Sequence, residues 1–171
     1  LVGINPAILT LFNKDYSIDY GGMKTLLDFL MDAKVDGVYV CGTTGEFSLL
    51  TLEERKKLAE TVVNHVNGKI TVYIHIGSIR TEDAVTLAKH AYACGANGIG
   101  ALSPYYYSYS EDELFGYFSK IANSISSDFP VYLYNIPQRT GNRVDPSLFV
   151  RLVENCPNIV AVSYTHLTLP T

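Results

Sequence analysis

Strand-like and helix-like apolar patterns alternate along this 171-residue chain, and that alternation limits the fold more than any other feature. Ala7-Ile8-Leu9-Thr10-Leu11 is a first short apolar run, followed by Met23, Leu26, Leu27, Leu30 and Met31 at helical spacing. Val38-Tyr39-Val40-Cys41 reads as a second strand. Thr51-Leu52-Glu53-Glu54 is a capping box opening a helix that buries Leu58, Ala59, Val62, Val63 and Val66. Ile70 to Ile76 is a third strand, with a helix from about Thr81 carrying Ala84, Leu87, Ala88 and Ala91. Gly98 to Leu102 is a fourth strand. A second capping box, Ser110-Glu111-Asp112-Glu113, starts a helix with Leu114, Phe118, Ile121, Ala122 and Ile125 inside. Val131 to Tyr134 is a fifth strand. Asp145-Pro146 reads as an N-cap and first-turn proline ahead of Leu148, Leu152 and Val153. Ile159 to Val162 is a sixth strand.

From the second strand on, starts recur roughly every 30 residues, the size of a βα unit. Ala33-Lys34-Val35-Asp36-Gly37-Val38 also echoes Cys94-Gly95-Ala96-Asn97-Gly98-Ile99 as a helix-to-strand turn. Six strands and five helices suit an α/β fold, either part of a barrel or a doubly wound sheet. No glycine-rich dinucleotide fingerprint follows the first strand, and no phosphate loop occurs, which weakens a nucleotide-binding reading. A full eight-unit barrel takes about 250 residues.

Hydrophobic residues at 47% and charged residues at 18% support a sizeable core. A net charge of -4 gives no electrostatic case for nucleic acid, and no apolar stretch is long enough to span a bilayer. No signal peptide is expected, and the start lacks a methionine. Cys41, Cys94 and Cys156 form neither a disulfide framework nor a metal motif, which fits a reducing cytoplasm.

The chemistry-bearing residues collect where strands end. Gly42-Thr43-Thr44-Gly45-Glu46 follows the second strand; its hydroxyls and amides can hold a carboxylate, or the segment is an ordinary turn. Tyr134-Asn135-Ile136-Pro137-Gln138-Arg139-Thr140-Gly141 follows the fifth. Tyr134 there can move protons or be a satisfied core tyrosine, and Arg139, in a loop, suits a carboxylate or lies in solvent. Ser103-Pro104-Tyr105-Tyr106-Tyr107 follows the fourth, as packing, subunit contact or site. His75 inside a strand reads as structural, Glu46 as a loop cap, and Glu53 to Lys57 as a solvated helix face.

Together, Gly-Thr-Thr-Gly-Glu, Pro-Tyr-Tyr and Tyr-Asn-Ile-Pro-x-Arg-Thr-Gly resemble the dihydrodipicolinate synthase / N-acetylneuraminate lyase family of pyruvate-dependent class I aldolases, from about Val2 to Val162. The resemblance implies a (β/α)8 barrel, here an incomplete one of about six strands and five helices, commonly a homotetramer in the family. It implies a Schiff base between pyruvate and a lysine on the sixth strand, with no metal or cofactor. Tyr134 would shuttle protons, Thr43 and Tyr106 would complete a hydroxyl relay, and Thr44 with the Gly45 backbone would bind the pyruvate carboxylate. Arg139 would bind the carboxylate of a small aldehyde partner. Thr43-Thr44 and Arg139 favour the synthase branch, which condenses pyruvate with aspartate semialdehyde to give 4-hydroxy-tetrahydrodipicolinate in lysine biosynthesis. His75-Ile76-Gly77 and the tyrosine run favour sialic acid lyase and other sugar-acid aldolases. A non-catalytic carboxylate-binding relative is the alternative of another class.

Ser163 stands where the family has its lysine, and 163–171 do not resemble the family. We therefore expect a family domain over 1–162 and a foreign tail over 163–171. Such a chain should be poorly stable and catalytically inactive.

Overall fold

The structure, a computed structural model, describes residues 3–164. Of the expected tail, only Ser163 and Tyr164 fall within the described residues.

The order of elements is α1 (Tyr20–Asp32), β1 (Gly37–Val40), a 3-10 turn (Phe47–Leu49), α2 (Leu52–Val66), β2 (Thr71–His75), α3 (Thr81–Ala93), β3 (Gly98–Leu102), α4 (Glu111–Ala122), β4 (Val131–Asn135), α5 (Pro137–Thr140), α6 (Pro146–Asn155) and β5 (Ile159–Tyr164). The strands follow one another in the sheet in chain order, and the β1–β2 and β4–β5 pairs are parallel. This alternation of parallel strands and helices is the α/β pattern expected. The count differs: the described residues hold five strands and six helices. Ala7-Leu11 makes a single parallel bridge, Ala7 to Tyr39, and is not a strand. The ladder there is limited to Ile8 N–H donating to Tyr39 O at 3.0 Å and Tyr39 N–H to Pro6 O at 2.9 Å. Leu9 stays exposed while Ile8 and Thr10 are buried, but among the described residues no further bridge extends the run.

The chain forms two compact units. The first is the chain to His75 with Lys89–Ile99, and the second is Ile76–Ala88 with the chain from Gly100 on. In the first, Asp19 caps α1 by accepting from Gly22 N–H at 2.8 Å. Thr51 and Glu54 form the capping box of α2, with Thr51 Oγ1 accepting from Glu54 N–H at 3.2 Å and Glu54 Oε2 accepting from Thr51 N–H at 2.8 Å. Burying Leu58, Val62 and Val66 on that helix stabilises the unit by about 1.5–3 kcal/mol per side chain.

The internal echo has a structural meaning. Lys34 and Gly95 both end their helices at positive φ, +59° and +88°. Their amides donate to Met31 O at 3.0 Å and Tyr92 O at 3.2 Å, and the next residues, Val35 and Ala96, donate to Leu30 O and Ala91 O. The same left-handed terminus is built twice.

In the second unit, Ser110 and Glu113 repeat the capping box on α4. Asp145 is the N-cap of α6, but its side chain makes no cap bond. Its carboxylate instead pairs with Arg143 Nε at 2.8 Å. Phe118, Ile121, Leu133, Leu148 and Leu152 are fully buried. The β4–β5 register slips once: Val131 pairs with Ile159 and Tyr132 with Ala161, leaving Val160 as an extra, bulged residue. Beyond it, Tyr134 lies opposite Ser163. No helix among the described residues is long and apolar enough to cross a membrane.

Candidate active site

In the first unit the glycine-flanked loop leaves β1 at Cys41, itself buried at φ +56°. Gly45 N–H donates to Gly42 O at 3.1 Å and Glu46 N–H to Thr43 O at 3.1 Å, so the loop turns tightly. A Cβ on Gly45 would lie 3.1 Å from Ile8 O and 3.3 Å from Thr10 Oγ1, a tighter fit than side chains ordinarily have, so the close approach there favours a glycine. Thr10 explains the crowding: its buried hydroxyl donates to Gly45 O at 2.7 Å. The loop thus sits on fixed backbone, with Thr43 half-buried and Thr44 exposed. Glu46 follows at φ +57° and makes no side-chain cap bond, so the capping role expected for it is not found.

Below the loop, His75 is completely buried, with its ring edge-on to Phe47 at 4.4 Å and near Tyr39 at 6.1 Å. Burial, reinforced by the Arg55 cation, holds its pKa well below the ordinary 6.5, so the imidazole is neutral. Burial likewise pushes the Cys41 thiol up to about 11, so it is not a thiolate at neutral pH.

Arg55 corrects the expectation of a solvated face. It is 4% exposed, donates from Nη2 to His75 O at 2.8 Å, and lies 5.3 Å from the Phe47 ring centroid. The signal was available: Arg55 is one turn before Leu58 and Ala59, on the stripe that Val62 and Val66 continue. Its charge hid it.

In the second unit Tyr134 is half-buried near the end of β4, in register with Ser163 on the neighbouring strand. Register partners in parallel strands present their side chains to the same face. Asn135 anchors the strand end: its amide donates to Val144 O at 2.9 Å and accepts from Val144 N–H at 3.2 Å. Arg139 is exposed, and it lies on the short helix α5 rather than in a loop. Gly141 closes α5 at φ +71°, its N–H donating to Pro137 O at 2.9 Å.

Tyr106 is 83% exposed and holds φ +80°, a left-handed conformation costly for an aromatic residue. Its ring meets Tyr107 edge-on at 4.9 Å. Sequence reasoning missed Thr10, Asn135 and Asn142. Each acts on backbone nine or more residues away, and nothing local in the sequence marks such a contact.

Comparison with known proteins gives these residues a context. The profile of the dihydrodipicolinate synthetase family matches residues 1–169. A probable 2-dehydro-3-deoxy-D-pentonate aldolase of Escherichia coli, YjhH, is 40% identical over 95% of this chain and 54% of its own length. A crystal structure of dihydrodipicolinate synthase superposes with a TM-score of 0.92 at 37% identity, over 98% of this chain and 57% of that one. The Escherichia coli prophage protein YagE, solved in complex with pyruvate and assigned to the same family, superposes at 0.90 with 38% identity, over 95% and 54%. The chain spans about half the length of the curated relatives it matches. Its fold class is that of these (β/α)8-barrel proteins. With the family profile covering nearly every residue and the backbone superposing over 98% of the chain, the chain belongs to the dihydrodipicolinate synthetase family.

Proposed function

We propose that the chain carries the N-terminal half-site of a pyruvate-dependent aldolase that works through a Schiff base. The observation that carries this reading is the register of Tyr134 with position 163. A lysine at 163 would rise from the strand beside Tyr134 and on the same face, where a phenol could pass protons to and from the group bound to it. Its amine would add to the ketone of pyruvate with loss of water, and the iminium would draw electrons from the methyl carbon as a proton leaves. The enamine would then attack an aldehyde.

Thr44 and the Gly45 backbone are assigned to the pyruvate carboxylate, Thr43 and Tyr106 to a hydroxyl relay with Tyr134, and Arg139 to a carboxylate on the aldehyde. The tight loop fixed by Thr10 supports the first assignment. The strained, exposed Tyr106 supports a functional rather than a packing role. We read 1–162 as the family domain and 163–171 as a tail foreign to it. Serine cannot form an iminium, so the chain as it stands is inactive. The three free cysteines support a cytoplasmic setting.

Aspartate semialdehyde is the leading partner, because Arg139 offers a planar fork to a second carboxylate. The likeness to YjhH favours a second reading, a sugar-acid aldolase. The test is borohydride trapping of pyruvate, read by mass spectrometry, on the chain, on its Ser163→Lys variant and on the parent protein read through position 163. An adduct on the lysine-bearing proteins alone is expected. Lack of an adduct on all three would overturn the aldolase reading in favour of a carboxylate-binding protein. Turnover of aspartate semialdehyde against 2-dehydro-3-deoxy sugar acids in the parent then separates the branches.

A further inference from the structure

We propose that Asn142 is a positioning residue that holds Tyr106 in its left-handed conformation. Its mechanistic part rests on the relay assigned to Tyr106 above. Asn142 is 3% exposed and follows Gly141 in the loop between α5 and α6. Its Nδ2 donates to Pro104 O at 2.8 Å and to Tyr107 O at 2.8 Å, with a longer contact to Thr140 O at 3.1 Å. Its Oδ1 accepts from Tyr109 N–H at 2.9 Å. The amide has one possible orientation, because carbonyls can only accept and the Tyr109 N–H can only donate.

One side chain therefore takes hold of the β3–α4 loop at three points, two of them carbonyls on either side of Tyr106. Pulling both carbonyls onto a single nitrogen shortens the path between them. The backbone of the bracketed residues must turn sharply to fit, and Tyr106 absorbs this at φ +80°. A non-glycine residue keeps such a conformation only where its surroundings over-determine it. Asn142 is itself fixed: its N–H donates to Thr140 Oγ1 at 3.2 Å, and that hydroxyl donates to Asn142 O at 2.7 Å. Thr140 and Asn142 are both buried, so the clamp works away from competing water. The clamp ties the loop bearing Tyr106 to the segment that follows Tyr134 and Arg139. Those two segments are more than thirty residues apart in sequence.

Asn142→Asp separates the two halves of the clamp. The carboxylate still accepts from Tyr109 N–H but has no donor for Pro104 and Tyr107, and it repels their carbonyls. Asn142→Leu removes both halves. The first readout is the carbon chemical shifts of Tyr106 in the 171-residue chain, with amide exchange of Tyr109. The expected result is that Tyr106 leaves its positive φ in both variants, while the Tyr109 amide stays protected in the Asp variant only. Unchanged Tyr106 shifts in both variants would overturn the proposal.

The second readout is kinetic, in the lysine-bearing parent. Asn142→Asp should lower kcat about tenfold with KM for pyruvate little changed, as expected for a misplaced catalytic group. In a Tyr106→Phe background the same substitution should add little. A full additional loss in that background would mean that Asn142 acts by general destabilisation, and would overturn the proposal. If the parent traps no pyruvate, the aldolase reading fails, and the chemical shifts still decide whether Asn142 holds Tyr106.

Discussion

Replacing Arg55 with methionine tests whether a buried cation fixes the floor under the threonine loop. The guanidinium donates to His75 O at 2.8 Å and faces the Phe47 ring at 5.3 Å, with the residue 4% exposed. A hydrogen bond from a charged donor contributes about 1.5–3 kcal/mol, and a desolvated cation–π contact up to about 2 kcal/mol. Methionine keeps much of the apolar stem packing, so the cavity cost is small. Removing the cation also recovers part of its desolvation cost, which lowers the net effect. The balance is a loss of about 2 kcal/mol, with the carbonyl of His75 losing the donor it has from Arg55. Urea unfolding followed by tyrosine fluorescence measures this directly, because the chain has 13 tyrosines and no tryptophan. Glu53→Gln, on the exposed side of the same helix, should change stability by less than about 0.5 kcal/mol. If Arg55→Met costs no more than Glu53→Gln, Arg55 does not support the loop and the argument from its burial is wrong.

Two further outcomes follow from particular residues. Lys34→Gly should stabilise the chain by about 0.5–1 kcal/mol, since Lys34 occupies the left-handed terminus that Gly95 fills without strain; an unchanged urea midpoint would contradict this. His75 stays neutral when folded, so as pH falls below 6.5 the unfolded state gains a proton that the native state refuses. Stability should therefore decline with falling pH until the lowered native pKa is reached, by up to about 1.4 kcal/mol per pH unit, and His75→Asn should flatten that slope.

Much of the fold was legible because it is written locally. The capping boxes at Thr51 and Ser110 form as their spacing requires, and five of the apolar runs become strands within a residue or two of the expected ends. Ala7-Leu11 misled because an apolar run carries no sign of whether a neighbour will pair along its whole length. Arg55 was hidden by its charge, although its helical phase gave it away. Pro137 to Thr140 looked like loop because four residues are too few to show a period, yet they close a turn of helix under Gly141. The positions that bear the proposed chemistry could be named from motifs. The residues that hold them could not, because Thr10 and Asn142 act on carbonyls 35 or more residues away.

The bulge at Val160 carries a consequence for how this architecture tolerates change. Side chains alternate faces along a strand, so adding or removing one residue exchanges every position beyond it. If Val160 were paired with Tyr132 instead of bulged, Tyr134 would meet Val162, and position 163 would look out from the opposite face. The spacing between the two proposed reactive positions is therefore a matter of parity rather than distance. A substitution at Val160 that keeps the bulge leaves that parity intact, and deleting Val160 closes the bulge with position 163 still opposite Tyr134, whereas inserting one residue between Ala161 and Ser163 reverses it while hardly altering composition or hydropathy. For chains built on this plan, the pairing of residues along the fifth strand, bulge included, matters as much as their identity when a lysine is sought beside the tyrosine.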